Sequence, residues 1–418
     1  MKIRKGMAKI LSTFMAAAIA VSAFAGTTLT ASAKSKWDGW LKISSAGDLL
    51  RMNNSEGKFY LTKDIDLKDD LWQEELVFNG TLDGNGYCIK NLTSTKYGLF
   101  YSLGNATIQN IGLYNVKIKS GYSFTIGGFA SRAYGTTFTN CYVTGEIESD
   151  TYSVAGFTGE LYRSTPNKYV NCVNMANVTG SWSAAGIECA DSSGSYSGST
   201  YENCINFGKI EGRGCVTSSH YTYYVAGICH SLDAKMTSCF NAGKIVNKEA
   251  DEGIIYNPAG LTGYASSNAF MTNCGTTTKV DISNAASNCM AQGTTSMAAS
   301  KLTKSSTFKG YKFGTTWTID KDINKGRPVL STMLKHYSGS KPTASVKTGT
   351  AVAKGTKIEL STDIKGGVIR YTTNGKTPGT GSKKFTDGIT IIKNTTIKAA
   401  VFVNGYRAYV VTLKYTVK

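Results

Sequence analysis

Thr139-Asn-Cys-Tyr-Val-Thr-Gly-Glu-Ile147 and Val170-Asn-Cys-Val-Asn-Met-Ala-Asn-Val178 are two copies of one pattern, and its recurrence decides the fold. The Cys returns at Cys141, Cys172, Cys204, Cys239 and Cys274, at spacings of 31, 32, 35 and 35 residues. Asn precedes it in every copy except at Ser238. Six residues after each Cys stands a β-branched aliphatic: Ile147, Val178, Ile210, Ile245 and Val280. A second register runs between them, at Gly128-Phe129, Ala155-Gly156-Phe157, Ala185-Gly186-Ile187, Ala226-Gly227-Ile228 and Ala259-Gly260-Leu261. Self-similarity at a near-fixed period marks a repeat architecture.

The unit has no helix-length apolar period, and its strands are too short to build a core alone. Its length suits one coil of a β-solenoid, about three short strands at ~3.3 Å per residue plus turns. Stacking coils about 4.8 Å apart pairs each strand with its copy and aligns like residues into ladders. The Cys series then reads as an interior ladder of free, buried thiols, and the preceding Asn as a turn ladder sharing amide hydrogen bonds. Glycine in the second register lets the coil bend where no Cβ fits. A β-propeller blade needs roughly 40–45 residues and four strands, so the solenoid is favoured.

Working outward, the N-terminus reads as an export signal. Lys2, Arg4, Lys5 and Lys9 precede an apolar run from Ile10 to Ala25, and Ala31-Ser32-Ala33 offers a cleavage site. A membrane anchor fits less well, because the run is short and a small-residue site follows it. No later stretch approaches the ~18 apolar residues of a spanning helix. Residues 1–33 are therefore expected to be a signal peptide, and the protein secreted or extracellular, free or wall-associated, with no transmembrane segment. Residues 37–60, with Trp37, Trp40, Leu49 and Leu50, predict a short amphipathic helix capping the first coil. Trp317 and the Pro328 segment are expected to close the last one, and 281–306 to be a loose final coil or an insertion.

These residues also carry a resemblance. Phe59-Tyr-Leu-Thr-Lys-Asp-Ile-Asp-Leu67, Phe78-Asn-Gly-Thr-Leu-Asp-Gly-Asn-Gly-Tyr-Cys-Ile-Lys-Asn-Leu92 and Tyr97-Gly-Leu-Phe100 resemble the opening of bacterial GLUG-motif proteins. Trp317-Thr-Ile-Asp320 and Asn324-Lys-Gly-Arg-Pro-Val-Leu330 resemble their ending. The resemblance implies a right-handed parallel β-helix over roughly residues 40–335. The same helix accompanies some IgA-cleaving metalloproteases. This chain has no His-Glu-x-x-His, so the resemblance implies their scaffold without their catalytic domain.

The formal charge of +18 is unevenly placed. Residues 341–418 hold twelve Lys and two Arg against Glu359, Asp363 and Asp387. Short alternating strands run through them, with Asn374-Gly375 and Asn404-Gly405 at tight turns. They read as a small immunoglobulin-like β-sandwich. Gly367-Val-Ile-Arg-Tyr-Thr-Thr-Asn-Gly-Lys-Thr-Pro378, Tyr406 and the closing Leu413-Lys-Tyr-Thr416 resemble the chitobiase/β-hexosaminidase C-terminal domain, an accessory module. The fold class is thus all-β: a signal at 1–33, a parallel β-helix over 34–340 and a basic sandwich over 341–418.

Candidate chemistry is sparse. Cys189 and Cys229 follow neighbouring Ala-Gly units and are the best candidates for a disulfide among the remaining cysteines. Three scattered His and no C-x2-C pair argue against zinc or any other metal. Asp64, Asp66, Asp69, Asp70 and Asp83 all fall in the first coil, and Asp83 belongs to an Asp-Gly turn. A polysaccharide-cleaving β-helix needs acids on successive coils, so no catalytic residue and no cofactor are assigned. The best binding candidates are Tyr221, Tyr223 and Tyr224, beside His220, where the Ala-Gly spacing stretches to 41 residues and predicts a bulging loop. Tyrosine faces stack on sugar rings, although these rings could equally pack on the coil's own surface.

The sequence therefore predicts a monomeric, exported bacterial protein that binds without catalysis. A dense positive face suits an anionic cell-wall polymer or glycan, at a host or neighbouring-cell surface, more than nucleic acid. The charge could also serve solubility alone. The alternatives are a β-helix polysaccharide lyase or hydrolase with an accessory module, and a purely structural stalk.

Overall fold

A computed structural model of the chain describes residues 35–121, 125–150, 152–161, 165–189, 198–213, 222–247, 255–277, 290–291, 295–319, 324–333, 341–362, 367–379, 381–403 and 406–418. The repeats wind as a parallel β-helix. A ten-stranded sheet runs from Leu41–Ile43 through Thr137–Thr139 and Lys168–Val170 to Met290–Ala291. Beside it a twelve-stranded sheet contains Tyr142–Ser149 and Val173–Gly180. A third holds Val154–Ala155 and Ala184–Ala185, and a fourth holds Ala130–Tyr134 and Thr158–Leu161. A full coil thus passes through four strand columns rather than about three. The extra strand precedes the Asn turn, and its central side chain points inward: Phe138, Tyr169, Tyr201 and Met236 are in register and buried. Phe138, Tyr169 and Tyr201 stack with ring centroids 5.1 and 5.3 Å apart.

The predicted ladders are present. Cys141, Cys172, Cys204, Cys239 and Cys274 are free thiols in the main core. Ile147, Val178, Ile210 and Ile245 pair in register on successive coils, while Val280 lies outside the described residues. The asparagine amides form a continuous chain: Asn140 Nδ2 donates to Asn110 Oδ1 at 2.9 Å, Asn171 to Asn140 at 2.9 Å and Asn203 to Asn171 at 3.1 Å. Asp83 begins it, accepting from Asn110 at 3.2 Å while closing its own turn onto the Asn85 N–H at 2.7 Å. A second, fully buried ladder runs through Asn174, Asn206 and Asn241 at 2.7 and 2.8 Å.

The bends are made by asparagine, not by the repeat glycines. Asn110, Asn140, Asn171 and Asn203 all have φ between 50 and 55°, the left-handed region that Asn tolerates better than most residues. Gly186 serves close approach instead. A Cβ there would lie 2.1 Å from the Gly227 carbonyl oxygen of the next coil.

The first coil is covered by Leu41–Ile43 and a single helical turn, Ala46–Leu49, whose N-cap Ser45 accepts from the Asp48 N–H at 3.2 Å. Leu49 and Met52 face the core, whereas Leu50 is exposed. Residues 290–291 and 295–296 add strands of a further coil.

Residues 299–319 and 324–333 do not close the last coil, as the sequence suggested; they lie along the flank. Trp317 Nε1 donates to Asn171 Oδ1 at 3.1 Å, and the Tyr311 hydroxyl donates to the Ser238 carbonyl at 3.0 Å. The reason is an apolar stripe. Tyr142, Val173, Ile205 and Phe240 occupy one outward register on four coils and would otherwise meet water. Phe308 covers Phe240 at 5.0 Å between ring centroids.

The C-terminal residues form a sandwich-like pair of layers. A five-stranded sheet is ordered Ala351–Val352, Tyr406–Val417, Thr395–Val403, Val368–Thr372 and Lys383–Lys384. Thr356–Ile358 pairs with Ile389–Ile391, and Thr343–Ala344 with Leu360–Ser361. Ile358, Ile391 and Ile397 are fully buried among the layers' apolar side chains. Gly375 has φ 76° at the expected Asn-Gly turn; Asn404 and Gly405 lie outside the described residues.

Candidate functional site

The tyrosine cluster is not a bulging loop where it is described. Thr222–Ala226 is a strand of the third sheet, with Tyr223 paired to Tyr256 and Tyr224 to Asn257. The Tyr224 ring packs edge-on to His230 at 5.0 Å, and its backbone N–H donates to Ser183 Oγ at 3.1 Å. Tyr224 is thus held against its own coil. His220 and Tyr221, and the side chain of Tyr223, lie outside the described residues.

Cys189 and Cys229 are not bridged; both are free and buried. Glu188, not Cys189, is the residue in register with Cys229. Neighbouring strand residues point to opposite faces, so Cys189 sits with Ala155 and Ala185 while Cys229 joins the main core.

One buried carboxylate escaped the sequence reading. Glu188 is 1% exposed. It accepts from Asn167 Nδ2 at 2.9 Å, the Tyr169 hydroxyl at 2.9 Å, Ser199 Oγ at 3.3 Å and the Tyr201 hydroxyl. Burial, and then the Glu188 carboxylate beside them, push both phenols well above their ordinary range. A signal was available: the inward position after each Ala-Gly-apolar triplet is Thr158, Cys229 or Thr262 in the other coils, and only here is it charged. Enclosed as it is, this carboxylate can organise the interior but cannot meet a polymer.

The surface that can meet one is the outer face of the five-stranded sheet. Alternation buries Ile369, Tyr371, Ile397, Leu413 and Tyr415 on the inner face. It turns Arg370, Lys398, Thr412 and Lys414 outward. Arg370 stands directly opposite Lys384; Lys398 is opposite Thr412, and Thr396 opposite Lys414. Lys384, Arg370, Lys398 and Lys414 therefore form a diagonal row across four strands, roughly 20 Å long, because Lys398 and Lys414 each step two residues along as the row crosses at about 4.8 Å per strand. None of the five strands contains Asp or Glu. Like charges set opposite one another destabilise a sheet, and a bound anion relieves that repulsion. Thr372, Thr396 and Thr412 add hydroxyls between the cations. Elsewhere in the sandwich, Lys357 and Asp387 approach to 3.6 Å.

Comparison with known proteins agrees with this architecture. Residues 346–412 match the chitobiase/beta-hexosaminidase C-terminal domain family. Among solved structures, the chain is similar to a protein from Bacteroides ovatus provisionally named an immunoglobulin A1 protease. The two are 16% identical with a TM-score of 0.53, over 70% of this chain and 92% of that one. A structure named IgA1 Protease aligns with 90% of this chain and 34% of its own length, at 13% identity and a TM-score of 0.45. No curated protein matches the chain. At 16% identity the likeness to the Bacteroides ovatus protein shows the fold alone.

Proposed function

We propose that this is an exported, non-catalytic bacterial protein of the cell surface or extracellular space. In it the β-helix is a rigid scaffold, and the C-terminal module attaches to an anionic glycan or cell-wall polymer. The observation that carries this reading is the acid-free cation row Lys384, Arg370, Lys398 and Lys414 on one sheet face. A row of fixed cations complements a chain of anionic groups, and salt should weaken the attraction. The signal-like segment at 1–33 supports export, which would bring such a partner within reach. The similarity to a protein provisionally named a protease is one of fold and does not favour catalysis.

The test is co-sedimentation of the mature full chain with purified cell walls and insoluble polygalacturonate across a salt series. The expected result is binding at low salt, release as salt rises, and a loss of about tenfold or more in the triple variant R370Q/K398Q/K414Q, since each charge-assisted contact contributes on the order of 1 kcal/mol. Unchanged binding by the variant would exclude this face. Release of soluble sugars from the polymer would replace the reading with an enzymatic one.

A further inference from the structure

Where the flanking segment crosses the asparagine turn ladder it leaves a cleft of about 190 Å³. One wall is the ladder: Asn140, Asn171 and Asn203 at equivalent positions on three coils, with Glu202 beside Asn203. The other wall is the segment containing Gly310, Lys312 and Thr316. Both walls are fixed independently of any ligand. The ladder holds itself by its amide chain, and Trp317 and Tyr311 pin the segment to Asn171 and Ser238 at 3.1 and 3.0 Å. Such pre-organisation lowers the cost of binding.

The cleft offers polar groups that the fold leaves open. Each ladder amide spends one N–H on its neighbour, and the second remains. The ladder also ends here, because the next coil carries Ser238 in place of Asn. Asn203 Oδ1 accordingly accepts no hydrogen bond among the described residues. Gly310 lies beside it: a Cβ at that glycine would stand in ordinary contact, 3.4 Å from Asn203 Oδ1. Glu202 and Lys312 are exposed, line the same cleft and make no ion pair with any described residue. Donors and acceptors thus both line the cleft, and Val170 is its one aliphatic lining residue.

We propose that this cleft binds a single neutral pyranose unit of a glycan. Successive ladder amides stand about 4.8 Å apart, a separation comparable to that of hydroxyls two carbons apart on the ring. A sugar hydroxyl both donates and accepts, so it can use the Glu202 carboxylate, the Lys312 ammonium and the amides together. The volume falls below the roughly 300–1,000 Å³ of pockets for drug-sized ligands, which limits the occupant to about one ring. The site is separate from the cation row and does not depend on its role.

Saturation-transfer NMR on the full chain, with methyl glycosides of glucose, galactose, mannose and N-acetylglucosamine, tests the proposal. A mixture of free amino acids is the competing probe, because a zwitterion could also span Glu202 and Lys312. At least one glycoside should show transfer, and E202Q and K312M should each weaken its binding about tenfold. Both side chains are exposed, so the fold should tolerate either change. R370Q/K398Q/K414Q should bind the glycoside as wild type does, which separates this site from the polymer face. No transfer to any glycoside, transfer unchanged in both variants, or binding of amino acids alone would overturn the assignment.

Discussion

The Tyr169 hydroxyl donates to Glu188 Oε1 at 2.9 Å inside the β-helix, 19 residues apart in sequence and one strand column over. With Tyr201, Asn167 and Ser199 it gives a buried carboxylate four hydrogen-bond donors. Replacing Glu188 by Leu would strand those donors in the core. Each unsatisfied group costs about 1–3 kcal/mol, so E188L should lose about 3 kcal/mol or more of stability. E188Q keeps the shape and one acceptor and should lose about half as much. Urea unfolding followed by tyrosine fluorescence would check both; equal midpoints for E188L and wild type would refute the network's importance.

Asn171 is held at φ 53° and sits mid-ladder, donating to Asn140 and accepting from Asn203 and Trp317. N171A should lose both the amide chain and the tolerance of left-handed backbone, about 3 kcal/mol together. N171G restores the backbone freedom alone and should be milder by about 1 kcal/mol. Thermal melts of the pair would separate the two contributions.

Glu148 bridges coils by meeting Arg213 Nη1 at 2.5 Å and Lys119 Nζ at 3.0 Å. Partial burial alone would raise its carboxyl. Hydrogen bonds and charge from Arg213 and Lys119 outweigh that, and its pKa lies below the ordinary glutamate value. A depressed acid stabilises above its unfolded pKa, and the contribution disappears as pH falls through the lower, folded one. The bridge should therefore persist at pH 7 and fade below about pH 4.3. Screening limits its worth to about 1 kcal/mol or less. E148Q should be less stable than wild type at pH 7, and the difference should shrink as pH falls through the lowered Glu148 pKa.

Burial pushes the Cys141 thiol up to about 12. At pH 8 it should stay protonated and resist iodoacetamide in the folded protein, reacting only after unfolding. Peptide mass spectrometry of pulse-labelled protein would read this site by site, with Cys172 and Cys239, which burial also pushes up, behaving likewise. Rapid native labelling of Cys141 would contradict an interior ladder.

How much of this was legible without coordinates follows from the geometry of stacking. In a parallel solenoid every residue meets its own copy one coil away, so a pattern recurring along the chain specifies contacts directly. That is why the Cys and Asn ladders could be read at Cys141, Cys172 and Asn171, and why the charge of 341–418 could be assigned to one module. Strand parity was less accessible. Strands of two or three residues carry almost no alternation, so Cys189 could not be told from Glu188 as the residue facing Cys229.

The sequence by itself therefore determined the repeat, the all-β class and the basic C-terminal module. Only the tertiary structure decided which surfaces those elements expose. Lys384, Arg370, Lys398 and Lys414 are scattered in sequence, and antiparallel pairing across four strands brings them into one row. Trp317 reaches Asn171 across 146 residues because an apolar stripe on the flank needed cover, and the cleft beside Asn203 exists only where those two segments meet. Ladders follow from local periodicity, whereas clefts and charged faces follow from how distant segments pack.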